Sequence, residues 1–253
     1  MALDGPLADA LAELAATPRL LVACDFDGTL APIVEHPSQA RGLPAAMQAL
    51  SALTGLPDTT VAAISGRSLD DLVTVAAPPA GVRLVGSHGA ESDGGTATMQ
   101  PEQRELHARM SASLEDILAD TPGAWLETKP TGVAVHVREA EPTAGERVLA
   151  VVRSGPASWV GGLVTEGKAV IDLAVVHADK GTALTTLREE AKATGVLFAG
   201  DDVTDEKAFA ALGERDVGVK VGDGETLARY RVASPADVAE LLTVLAAARR
   251  DRR

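Results

Sequence analysis

Asp25 and Asp27 stand two residues apart, directly after the apolar run Leu20 to Ala23 and Cys24, and Gly28-Thr29 follows them. Carboxylates at this spacing, with a glycine able to turn the chain sharply and expose backbone N–H groups, suit one small pocket for an anion and a metal ion. Asp-x-Asp-Gly also occurs in plain turns and opens calcium loops. A calcium loop would go on supplying oxygen ligands between two helices, whereas here Thr29-Leu30-Ala31-Pro32 continues from a strand. Three more polar clusters stand farther along the chain: Ser65-Gly66-Arg67, Lys180-Gly181, and Gly200-Asp201-Asp202-Val203-Thr204-Asp205. The first and last of these also begin where an apolar run stops. Taken singly they read as a turn, a helix-start lysine, and an N-cap with first-turn acids; their order along the chain points to chemistry.

The elements that must position these residues follow from hydrophobic pattern. Leu20–Cys24 lacks alternation, as a strand buried on both faces does, and open α/β sheets place their sites where such strands end. A helical stripe of Leu7, Leu11 and Leu14 precedes it. After it the pattern predicts a helix from Leu43 to about Gly55, a strand over Thr59–Ile64, a helix over Ser68–Ala76 and a strand over Val82–Val85, which ends at Gly86-Ser87-His88-Gly89-Ala90-Glu91. Residues 94–172 differ in texture. A charged helix near Pro101–Asp120, the alternating TGVAVHV, a helix near Thr143–Ser154 and a hairpin at Glu166-Gly167-Lys168 suit a sheet covered by helices on one face only, hence a small inserted α/β domain. The doubly wound α/β pattern resumes with a helix near Thr182–Thr194, the strand VLFAG, helix 204–212, strand Val217–Val221, helix Thr226–Tyr230 and helix Pro235–Ala248. Residues 1–93 and 173–253 therefore form the core, with 94–172 inserted.

The chain has 253 residues, 46% of them apolar and 2% aromatic, with a formal charge of -13. A core of that size is readily built, and the acidity argues against nucleic acid as a partner. The basic cluster Arg249, Arg250, Arg252 and Arg253 reads as a solvated helix end. Cys24, the single cysteine, cannot form an internal disulfide and reads as a small buried side chain. No basic residue precedes Arg19 and no apolar run reaches membrane-spanning length, so a cytoplasmic protein without a membrane partner is expected. A monomer is expected as well.

The signature Asp-x-Asp-Gly-Thr after an apolar strand resembles the haloacid dehalogenase superfamily of aspartate-dependent phosphotransferases. The resemblance implies a mostly parallel, Rossmann-like core with a C2-type cap inserted between Arg67 and Lys180. It implies Asp25 as nucleophile, Asp27 as general acid and base, and Ser65 with the amides of Gly66 and Gly28 on phosphate oxygens. Lys180 would offset charge. It implies magnesium on the carboxylates of Asp25 and Asp201 and the main-chain carbonyl of Asp27, with Asp202 or Asp205 close by. Gly86 to Glu91, Glu127-x-Lys129 with His136-x-Arg138, and Glu166-Gly167-Lys168 resemble the trehalose-6-phosphate phosphatase family in particular. By that resemblance Lys129, His136, Glu166 and Lys168 would meet the sugar or phosphate, while Arg67, His88 and Glu91 would shape the core side. Ser87 stands where the family more often has an apolar residue, and Asp172-Leu173-Ala174 where a Glu and a following Arg-Pro are expected. The implied activity is hydrolysis of trehalose 6-phosphate, the last step of trehalose synthesis. The alternatives are another capped sugar phosphatase, of sucrose phosphate or mannosyl-phosphoglycerate type, and a non-catalytic sugar-phosphate-binding protein.

Overall fold

Apolar runs without alternation become parallel strands covered on both faces, and the alternating ones become an antiparallel sheet covered on one. A computed structural model, which describes residues 5–93, 95–96 and 99–251, gives this order of elements. The first stretch is α1 (Gly5–Leu14), β1 (Leu20–Cys24), α2 (Pro44–Thr54), β2 (Thr59–Ile64), α3 (Leu69–Ala76), β3 (Val82–Gly86), β4 (Glu91–Ser92) and β5 (Gly95–Thr96). The next comprises α4 (Pro101–Leu118), β6 (Trp125–Lys129), β7 (Gly132–His136), α5 (Pro142–Ser154), β8 (Leu163–Gly167) and β9 (Val170–Ala174). The last comprises α6 (Lys180–Ala191), β10 (Gly195–Gly200), α7 (Glu206–Ala210), β11 (Val217–Val221), β12 (Tyr230–Val232) and α8 (Pro235–Arg250).

The chain divides into two units, one within Met1–Gly94 and Ala178–Arg253, the other within Gly95–His177. The expected crossing at 93/94 involves Gly94, which lies outside the described residues. The return crossing comes at 177/178 where 172/173 was expected, because β9 continues through Ala174 and the Val175 N–H still donates to Thr131 O at 2.9 Å.

In the larger unit the sheet order is β12-β11-β10-β1-β2-β3-β4-β5, parallel from β12 to β3 and antiparallel from β3 to β4. Leu20, Val22 and Cys24 of β1 pack into one apolar layer with α1, α2 and α8, while Leu21 and Ala23 pack into another with α6 and α7. Each successive residue of β1 thus meets a helix layer, which is why the run does not alternate. Residues 226–229, expected to be helical, form a bend, and Tyr230 opens β12 beside β11. Helix 204–212 resolves into a 3-10 turn, Val203–Asp205, followed by α7. Arg249 is not a solvated helix end. Its guanidinium donates to the carbonyls of Ala15 (3.0 Å), Thr17 and Asp58 (3.0 Å) and to Thr59 Oγ1 (3.2 Å), tying α8 to the loops that enter β1 and β2. Arg252 and Arg253 lie outside the described residues.

The smaller unit is a four-stranded antiparallel sheet, ordered β6-β7-β9-β8. Val133, Val135, Ile171 and Leu173 point to one face and pack on Met110, Leu114 and Leu118 of α4 and Val148, Leu149 and Val152 of α5. By the two-residue period of strands the opposite face carries Trp125, Glu127, Lys129, His136, Asp172 and Thr165. Among the described residues no helix is long and apolar enough to cross a membrane.

Candidate active site

Because β10, β1 and β2 lie side by side and parallel, the residues that follow them leave the sheet at one edge. Asp201, Asp25 and Ser65 are each the first residue past their strand. The Asp25 N–H donates to Ala199 O at 2.9 Å, which holds the start of the loop against β10. Lys180, the first residue of α6, projects an almost fully buried ammonium that lies 2.8 Å from Asp25 Oδ1 and 2.7 Å from Asp205 Oδ1. The helix start is fixed by Asp179, whose Oδ1 accepts the Thr182 N–H at 2.8 Å. Carboxylate oxygens of Asp25, Asp201 and Asp205 all lie within 4.8 Å of one another.

Two glycines make room for these acids. A Cβ on Gly200 would stand 2.3 Å from Asp205 Cγ, and one on Gly28, whose φ is +75°, would stand 2.0 Å from Asp201 Oδ2. Gly28 therefore answers both a turn and a close approach. Its amide does not face a ligand as expected: it donates to Ala31 O at 2.7 Å. Asp202 and Asp205 also separate in role. Asp202 is exposed and caps the turn that follows, its Oδ1 accepting the Val203 N–H at 2.7 Å, while its own N–H donates to the buried Asp205 Oδ2 at 2.9 Å.

The cluster holds three carboxylates against one ammonium. Burial pushes the Asp25 carboxyl well above the usual carboxylate range, against the pull of Lys180, and Asp205 and Asp201 push it further. Asp201 is raised by burial and by Asp205. For Lys180 burial works downward, but Asp25 and Asp205 more than offset it and hold the ammonium above its ordinary value. Asp25 and Asp201, raised by burial and by neighbouring carboxylates, together with the Asp205 oxygens make an all-oxygen donor set that fits a hard divalent cation of the magnesium type.

Asp27 and Arg67 pair in bidentate fashion, Nε to Oδ2 at 2.6 Å and Nη2 to Oδ1 at 2.8 Å. The same guanidinium donates to Asp71 Oδ2 at 2.6 Å and to Pro37 O at 2.9 Å. Arg67, expected on the core side of the site, orients the second aspartate of the motif. Ser65 is buried and its Oγ accepts the Arg67 N–H at 3.2 Å, so its hydroxyl proton is available to a ligand oxygen. Gly66 lies under the ring of His88, where a Cβ would come within 2.6 Å of Cε1. The buried Glu91 is tied inward: it accepts from Ser87 Oγ and from the Leu69 N–H, the latter at 3.3 Å. Ser87 departs from an apolar residue to make that bond.

In the smaller unit Lys129 is buried and paired with Asp172, the residue that departs from the family pattern. His136 Nε2 lies 3.0 Å from Glu127 Oε2 on the open face. Glu166 does not join them. It pairs across the sheet with Ile171, which faces the helices, and its carboxylate binds Arg153 of α5 (2.9 Å). Lys168 is exposed in the turn between β8 and β9. The sequence reading missed Lys220, a buried lysine in the apolar strand β11 whose Nζ donates to the Asp201 main-chain carbonyl. A lone charge inside VGVKV was the available signal.

Comparison with known proteins places these residues in context. The trehalose-phosphatase family profile matches residues 23–236. The trehalose-6-phosphate phosphatase of Escherichia coli is 34% identical over 234 residues, 90% of this chain and 87% of its own length. The bifunctional trehalose-6-phosphate synthase/phosphatase of Thermoproteus tenax is 32% identical over 243 residues. This chain covers 33% of that longer protein. The C-terminal domain of C. albicans trehalose-6-phosphate phosphatase superposes with a TM-score of 0.75 at 26% identity, covering 97% of each chain.

Proposed function

The chain belongs to the trehalose-phosphatase family, and from that premise we propose that it hydrolyses trehalose 6-phosphate to trehalose and inorganic phosphate, completing trehalose synthesis. Asp25 is the nucleophile. One of its carboxylate oxygens attacks phosphorus, the bond between phosphorus and the sugar oxygen breaks, and Asp27 supplies the proton that the departing oxygen needs. Asp27, now a carboxylate, takes a proton from water; the water oxygen attacks phosphorus, the bond to Asp25 breaks, and phosphate is released. Arg67 holds Asp27 in place for both transfers, and Lys180 with the Ser65 hydroxyl offsets the charge of the phosphate oxygens. Magnesium would be held by Asp25, Asp201 and the Asp27 carbonyl with Asp205 beside them, and when bound it offsets the repulsion between a carboxylate and a phosphate. In the smaller unit, the open sheet face carrying Glu127, Lys129 and His136 recognises the sugar.

The observation that carries this reading is Lys180 bridging Asp25 and Asp205 with Asp201 alongside, where parallel strands end. Phosphate release from a panel of trehalose, sucrose, glucose and mannose phosphates is the test. Preference for trehalose 6-phosphate is expected, and equal rates across the panel would leave only the class. Asp25→Asn is expected to cut turnover by about a thousandfold or more; undiminished release would contradict the covalent step, and no release by the parent protein would favour a binding role.

A further inference from the structure

Trp125 begins β6 on the open face of the smaller sheet, directly opposite His136 of β7. The two rings are stacked, with centroids 4.1 Å apart and planes 9° from parallel. His136 is itself held by Glu127, Nε2 to Oε2 at 3.0 Å, so the indole rests on a ring that cannot swing freely. Yet the Trp125 residue is 47% exposed, a large apolar surface left in water on the face of the sheet away from the helices. The next residues on the same face are Glu127 and Lys129 along β6 and Asp172 on β9, all charged, and Lys129 and Asp172 are paired with each other. An aromatic plane backed on one side by a fixed ring, at the edge strand of the sheet and with the Glu127 carboxylate next along the same face of that strand, suits a hexose. The ring C–H bonds of a pyranose form an apolar, positively polarised face that packs on the negative face of an indole, with Glu127 the nearest same-face polar group along the strand to meet its hydroxyls.

We propose that Trp125 is the stacking platform for one sugar ring of the substrate, with His136 as the residue that positions it. This deepens the reading of the chain as a sugar phosphatase and rests on it. The platform supplies binding to the sugar and takes no part in the phosphate chemistry, so its loss acts on KM rather than on kcat.

The chain has two tryptophans, and Trp159→Phe leaves Trp125 as the single reporter. In that background, trehalose without phosphate is expected to change the Trp125 emission in a saturable manner. Trp125→Ala is expected to raise KM for trehalose 6-phosphate about threefold to tenfold, the range of one aromatic stacking contact. Trp125→Phe should recover most of that loss, and thermal unfolding of both variants identifies any effect of misfolding. An unchanged KM in well-folded Trp125→Ala overturns the platform. If the parent prefers another hexose phosphate, the substrate reading fails while the same KM comparison on that ester decides the platform. If it turns over no sugar phosphate, a Trp125 emission unmoved by trehalose overturns it.

Discussion

Replacing Gly28 with alanine adds one methyl group at the most crowded point of the nucleophile loop. The new Cβ would lie 2.0 Å from Asp201 Oδ2, 2.3 Å from its Cγ and 2.8 Å from its Oδ1, while real contacts of this kind stay above 3.0 Å. Asp201 must retreat by about 1 Å, and a displacement of that size costs on the order of a hundredfold in rate when it disturbs a reacting geometry. A magnesium site tolerates it poorly, since its oxygen ligands are held near about 2.1 Å. The same substitution also forces a left-handed backbone on an L residue, which costs about 1–2 kcal/mol whatever the surroundings. Gly222 separates the two effects: its φ is +72° against +75° for Gly28, and nothing lies within 4 Å of its Cβ position. Both Gly28→Ala and Gly222→Ala should therefore lower Tm by roughly 2–8 °C, but Gly28→Ala alone should lose turnover by about a hundredfold and need more magnesium to reach half its rate. Phosphate release measured across a magnesium series, with melting curves on the same samples, reads both quantities. Parent-like activity in Gly28→Ala, or an equal activity loss in the two variants, would refute the collision with Asp201.

Acidity should couple to metal through the same cluster. The raised Asp25 and Asp201 carboxyls make folding of the metal-free protein bind protons, so this penalty is absent below the ordinary carboxylate range and grows as pH rises toward their raised values. Magnesium should accordingly raise Tm more at pH 8 than at pH 5, and the opposite order in a melting series would contradict the assignment. Cys24 should resist thiol reagents in the folded protein, because burial and then the charge of Asp25 push its thiol up to about 12; rapid native-state labelling followed by mass spectrometry would count against it. Arg249→Lys should cost about 2 kcal/mol with turnover unchanged, since an ammonium cannot reach carbonyls on several loops as the guanidinium fork does. Denaturant titration beside the phosphate assay checks both halves.

The motifs and the strands that carry them were legible from residue order because they are local. An apolar run of five or six residues without alternation, too short for a helix and closed by polar turn residues, reads as a strand covered on both faces, and an acid that ends it then sits at the sheet edge. That places Asp25, Ser65 and Asp201 at strand ends before any coordinates exist. Local pattern fails where a segment is short: Thr226 to Tyr230 is as compatible with a turn of helix as with the approach to β12, and pairing with β11 decided it. Side-chain partners are less local still. Arg67 follows Ser65-Gly66 in the sequence, yet its guanidinium lies on Asp27, a residue forty positions away. Glu166 sits in a motif that reads as sugar-binding, but one-residue parity in the pairing of β8 with β9 turns it toward α5.

Sequence alone thus determined which residue types stand at which strand ends, since hydrophobic periodicity and turn chemistry are properties of neighbours in the chain. Tertiary structure alone decided which charges meet. It joined Lys180 to both Asp25 and Asp205, gave Lys220 to the Asp201 carbonyl, and left Trp125 exposed on its histidine. Strand register and helix docking set those pairings across distant parts of the chain, and no window of neighbouring residues contains them.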